Sequence, residues 1–128
     1  MKLRIQGNSS RLRVSRLELA SFSDTGVLEE TVRFGRGEKA KLTYLLMRST
    51  DGADVDVMSS DGRVAVLLSA GTALTWAETE QVGISADVDL GAQGTLSILV
   101  EKDFACLDRS DADNADTFPN PLADSHVC

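Results

Sequence analysis

The chain has 128 residues, of which 42% are hydrophobic and 26% charged, and a formal net charge of −7; that length closes one domain without staples. Its apolar runs are strand-sized, well short of the ~20 residues of a membrane-spanning helix, and ordinary apolar content excludes disorder throughout. The overall negative sign disfavours nucleic acid, whose phosphates repel an anion.

Leu3 and Ile5 alternate with Lys2, Arg4 and Gln6, the pattern of a half-buried strand. Charge interleaved with apolar residues is unlike a secretory leader, so a cytoplasmic location is expected. Gly7-Asn8-Ser9 breaks the strand, and Leu12 and Val14 then alternate with Arg11 and Arg13. A hairpin and one long bulged strand both fit. Ser15 with Glu18 forms a capping box, which predicts a helix from Arg16 to about Ser23 that ends at Gly26. Leu28 to Phe34 and Leu42 to Leu46 flank Gly35-Arg36-Gly37 and read as a hairpin. Asp54 to Met58 and Arg63 to Ser69 flank Asp61-Gly62, among the stronger hairpin signals. Residues 71–78 suit a helix of one to two turns capped by Ser69 or Thr72. Val82 to Val88 and Leu96 to Val100 alternate as strands around Gly91-Ala92-Gln93-Gly94.

The expected class is α+β, mainly β: an antiparallel sheet closed or nearly closed into a barrel, with two short helices. Closure would remove edges that invite aggregation. Residues 2–58 and 63–102 read as two copies of one β-α-β-β plan, a repeat of pattern and not of sequence. The whole chain is expected to be a single domain, with a β-rich body over 1–102, an acidic loop docked over 103–121 and a frayed end at 122–128. The docking expectation rests on Phe104, Cys106, Leu107 and Phe118, apolar residues uncommon in a free tail.

The opening Lys2-Leu3-Arg4-Ile5-Gln6-Gly7-Asn8-Ser9 with Arg11-Leu12-Arg13, the pair Trp76-Ala77 and Gln81-Val82-Gly83-Ile84, and Leu96 to Phe104 with Cys106-Leu107 carry a resemblance. Asp116-Thr117-Phe118-Pro119-Asn120-Pro121 completes it. Together these blocks resemble a family of small bacterial proteins with no assigned activity, which implies that the C-terminal block belongs to the domain. The doubled pattern is also similar to triphosphate tunnel enzymes, whose antiparallel barrel encloses a basic channel. Where those enzymes carry alternating metal-binding glutamates, this chain has Lys2, Arg4 and Gln6. What that likeness implies is therefore an anion-handling relative and not the hydrolase itself.

Residues 1–50 hold ten Lys/Arg against five Asp/Glu, and residues 51–128 hold three against fifteen. Arg4, Arg11 and Arg13 fall on the non-apolar face of the first strand region, where guanidiniums could cradle phosphate or carboxylate. On a water-facing surface they would be a solvated edge that discourages strand pairing. Asp103, Asp108, Asp111, Asp113 and Asp116 gather near the C-terminus. Of these, Asp111, Asp113 and Asp116 have a spacing a hard cation could use, but the turn glycine and closing glutamate of a calcium loop are missing. Cys106, His126 and Cys128 supply three ligands only, so no metal site is expected, and two cysteines make no disulfide framework. With one histidine no serine triad can be built, and no phosphate-binding glycine loop or other cofactor motif occurs. Trp76 and Tyr44 read as core residues. The functional expectation is non-catalytic binding or protein interaction, with a small anionic ligand or a protein partner. The alternative is an anion- or phosphate-handling enzyme related to the tunnel fold. Convergence of Arg4, Arg11 and Arg13 in a cavity would favour that enzyme alternative, and their scattering over the surface the non-catalytic reading.

Overall fold

The computed structural model describes residues 1–50 and 52–104. They form β1 (Lys2–Gln6), β2 (Ser9–Val14), α1 (Arg16–Thr25), β3 (Val27–Arg33), β4 (Lys41–Ser49), β5 (Val55–Ser60), β6 (Arg63–Ser69), α2 (Ala70–Glu78), β7 (Gly83–Asp89) and β8 (Thr95–Lys102). A 3-10 turn at Gly91–Gln93 joins the last two strands.

Local chemistry sets these boundaries. The Ser15 side chain accepts from the Glu18 amide while the Glu18 carboxylate accepts from the Ser15 amide, closing the expected capping box. Gly26 ends α1 in the left-handed conformation and donates its N–H to the Phe22 carbonyl. Arg48 Nη1 donates to the Ser23 carbonyl at 3.2 Å, placing a cation where the helix dipole is negative. Ser69 caps α2 by accepting from the Thr72 amide. Asp61 and Gly62 both take positive φ, which a two-residue turn between twisted strands requires. The first break also resolves as a hairpin, with β1 antiparallel to β2.

The expected closed antiparallel barrel is not what forms. The strands make two four-stranded sheets, a first in the order β1-β2-β8-β7 and a second in the order β3-β4-β6-β5. The central pair of each, β2 with β8 and β4 with β6, is parallel. The repeated unit is hairpin–helix–hairpin, over residues 2–49 and 55–102, and not β-α-β-β. Each helix carries the chain from one sheet to the other, so each sheet combines a hairpin from either half. Interleaved hairpins meet in parallel, and no hydrogen-bonded ladder links the sheets among the described residues. Side chains bridge them instead. The Met1 ammonium, at the edge strand β1, pairs with Glu18 and with Glu30 of β3, and Tyr44 Oη of β4 donates to the Met1 carbonyl at 3.1 Å.

The core between the sheets repeats at one constant sequence offset: Leu12 with Val66, Val14 with Leu68, Phe22 with Trp76, Tyr44 with Ile98 and Leu46 with Val100, all buried. Phe22 and Trp76, the matching helix residues, meet edge to face with ring centroids 6.4 Å apart. Trp76 is fully buried and its indole N–H donates to the Val82 carbonyl, so both aromatic expectations hold for the core. Phe104 is 62% exposed, contrary to its expected burial.

Candidate anion-binding face

Strand alternation turns Leu3, Leu12 and Val14 inward and Lys2, Arg4, Arg11 and Arg13 outward, so the three arginines singled out in the sequence lie on one face of the first sheet. Cross-strand register then arranges that face in rows. Arg4 stands opposite Arg11, Arg11 beside Leu99, and Leu99 opposite Ser85. The neighbouring row is Gln6, Ser9, Ser97 and Asp87, and the row on the other side is Lys2, Arg13, Glu101 and Gly83. The twisted face encloses an open concavity of about 660 Å³ lined by Arg4, Arg11, Gln6, Ser9, Ser97 and Asp87, among others. That volume is in the range of small-molecule sites.

The arginines are not equivalent. Glu101 takes Arg13 Nε at 2.8 Å and Arg11 Nε at 3.5 Å. Arg13 is thereby held beside the concavity without lining it, whereas Arg11 is shared between Glu101 and the cavity. Arg4 has no ion-pair partner among the described residues and faces another guanidinium across the strand pair. Like charges directly opposite destabilise a sheet. The Arg4–Arg11 pairing therefore has no account in the stability of the fold. At the far side, Ser97 Oγ donates to Asp87 Oδ1 at 2.9 Å. At the exit of β8, Lys2 Nζ pairs with Asp103 at 3.2 Å.

A second cluster joins the sheets at Met1. Burial opposes the charge of the ammonium, but hydrogen bonds and the negative charges of Glu18 and Glu30 outweigh it and raise its pKa. Burial likewise opposes the Glu18 carboxylate, yet its bonds to the ammonium and to Ser15 hold its pKa down. Burial, reinforced by the charges of Glu30 and Glu18, pushes the Tyr44 hydroxyl up. These groups are tied to one another, so the cluster reads as a structural clamp.

Sequence reasoning found the arginines but missed Ser85, Asp87, Ser97 and Leu99. Their outward alternation was legible; their place beside the arginines was not, because it depends on β2 pairing with β8 from the far end of the chain. The candidate ligands Asp111, Asp113 and Asp116, and Cys106, His126 and Cys128, lie outside the described residues, as does the proposed docked loop beyond Phe104. Among the described residues no three metal-ligating side chains cluster, and no helix is long and apolar enough to cross a membrane. The open sheets also remove the enclosed channel implied by the tunnel-enzyme likeness, and with it the fold basis for that enzyme alternative.

The model of a family of unknown function (DUF7009) matches residues 1–122. No curated protein and no solved structure matches the chain.

Proposed function

The chain belongs to this family of unknown function, and from that premise we propose that it is a non-catalytic binding module whose first sheet receives an anionic group on its outer face. The observation that carries the reading is Arg4 opposite Arg11 over a concavity, with Arg4 lacking an ion-pair partner among the described residues. Guanidiniums present forked donors that match carboxylate and phosphate oxygens. Hydroxyls of Ser9 and Ser97 and the amide of Gln6 surround them, groups suited to holding a ligand.

The shared chemistry is an oxyanion, and calorimetry can separate its sources. Tripolyphosphate and citrate are titrated into wild type, Arg4→Gln and Arg11→Gln. Binding of either anion, weakened about tenfold or more in Arg4→Gln and fading with added salt, is expected. Equal binding by wild type and both variants would remove the reading.

A further inference from the structure

Resting on that reading, we propose that the occupant of the concavity is a short zwitterionic peptide of about three or four residues, its C-terminal carboxylate at Arg4 and Arg11 and its N-terminal ammonium at Asp87. The concavity is dipolar. Its lining cations sit on β1 and β2, and its lining carboxylate sits on β7, the opposite edge of the β1-β2-β8-β7 sheet. Among the described residues neither Arg4 nor Asp87 has an ion-pair partner, and they do not reach one another. A simple polyanion would satisfy the arginines but press a like charge toward Asp87. A ligand charged oppositely at its two ends satisfies both.

The dimensions select its length. Three strand spacings separate β1 from β7, about 14 Å. An extended chain covers at most ~3.3–3.6 Å per residue, so about four residues bridge the edges, and fewer if the long arginine side chains lean inward. Between the ends the floor offers Ser9, Ser97 and Gln6, whose hydroxyls and amide can pair with peptide N–H and C=O groups. Leu99 gives one apolar contact. Ser97 already donates to Asp87 Oδ1, which orients that carboxylate and leaves its second oxygen for an ammonium.

The test uses tetra-alanine, its N-acetylated form and its C-amidated form, titrated by calorimetry into wild type, Arg4→Gln and Asp87→Asn. Wild type should bind the free peptide and lose about tenfold or more for either blocked end, the scale of one charge-assisted contact. Arg4→Gln should distinguish acid from amide far less, with Arg11 alone left to hold the carboxylate, and Asp87→Asn should no longer distinguish free amine from acetylated. If amidation weakens binding while acetylation does not, the peptide proposal is overturned and the anion reading stands. If tripolyphosphate binds through Arg4 but no tetra-alanine form binds at millimolar concentration, the peptide proposal is likewise overturned. Effects of both blocked ends that persist unchanged in both variants would place the ligand elsewhere and overturn it too.

Discussion

The outer faces of the two sheets occupy matching places in the doubled plan, yet along their middle rows they share only a leucine, Leu99 and Leu45. On the first sheet the middle row reads Arg4, Arg11, Leu99, Ser85; on the second the matching row reads Met58, Ala65, Leu45, Glu29. The inner faces, by contrast, have kept one apolar pattern, Leu12 with Val66, Val14 with Leu68 and Leu46 with Val100. On the second sheet's outer face Met58 is 63% exposed, but several polar groups are paired within the face. Leu45 is only 4% exposed, Glu29 pairs with Arg63 at 3.2 Å, and Thr31 and Thr43 share a hydroxyl hydrogen bond at 3.0 Å. The first sheet leaves Arg4 and Asp87 without ion-pair partners among the described residues. Inward residues answer to folding alone; the difference between the outward sets is where ligand recognition can reside.

The largest effects are expected in the core that the two halves share. Phe22→Ala and Trp76→Ala should each cost about 3–5 kcal/mol by chemical denaturation, because each empties a matching place at the helix contact. A large loss at one position and none at the other would mean that the halves do not share a core. Next, Leu45→Ser should destabilise by about 2–4 kcal/mol, since its side chain is nearly enclosed. Its counterpart Leu99→Ser, on the half-buried floor of the concavity, should cost about 1 kcal/mol. Equal costs would erase the distinction between a leucine buried on one outer face and its half-exposed counterpart on the other.

A smaller effect sharpens it further. Arg4→Met installs the residue of the matching position, Met58, and should leave stability within about 0.5 kcal/mol or raise it slightly, because a like-charge pair is relieved. A clear destabilisation would show that Arg4 is a structural residue.

The Met1 clamp gives the subtlest test, on the bond between the sheets. Glu18 has a lowered pKa in the folded chain, so its contribution is present above the ordinary glutamate value of about 4.3 and is lost as pH falls through the folded value. The ammonium has a raised pKa, so its contribution is full below the ordinary value of about 8 and is lost as pH rises through the folded one. Melting temperature should therefore plateau between those limits and fall on both sides. Glu18→Gln keeps a side chain that can complete the capping box but removes the charge, and should flatten the alkaline fall. An unaltered alkaline limb would mean that the ammonium is held by something other than Glu18.

Local elements were legible wherever a few neighbouring residues decide the matter. Ser15 and Glu18 announce α1, Asp61-Gly62 announces the β5–β6 turn, and alternation places Arg4, Arg11 and Arg13 together. Sheet membership was not legible, because hairpin signals describe only neighbouring strands. Nothing near Ser9 says that Ser97 will lie beside it, or near Thr43 that Arg63 will. The parallel central pairs, and with them the open sheets in place of a barrel, depend on two helices each crossing the molecule. Half of the candidate face was hidden for the same reason: Asp87 and Ser97 gain their meaning only from the strand order. The clamp at Met1 was equally hidden, since Glu18 was visible only as a cap.

If the proposed function holds, the outer face of the first sheet, and not its counterpart, receives the ligand. Amide chemical-shift mapping by NMR during titration with tripolyphosphate tests it most directly. Saturable shifts concentrated at Arg4, Arg11, Ser97 and Leu99, and lost in Arg4→Gln, are expected. Shifts centred on Met58, Ala65 and Leu45, or shifts unchanged by Arg4→Gln, would contradict it.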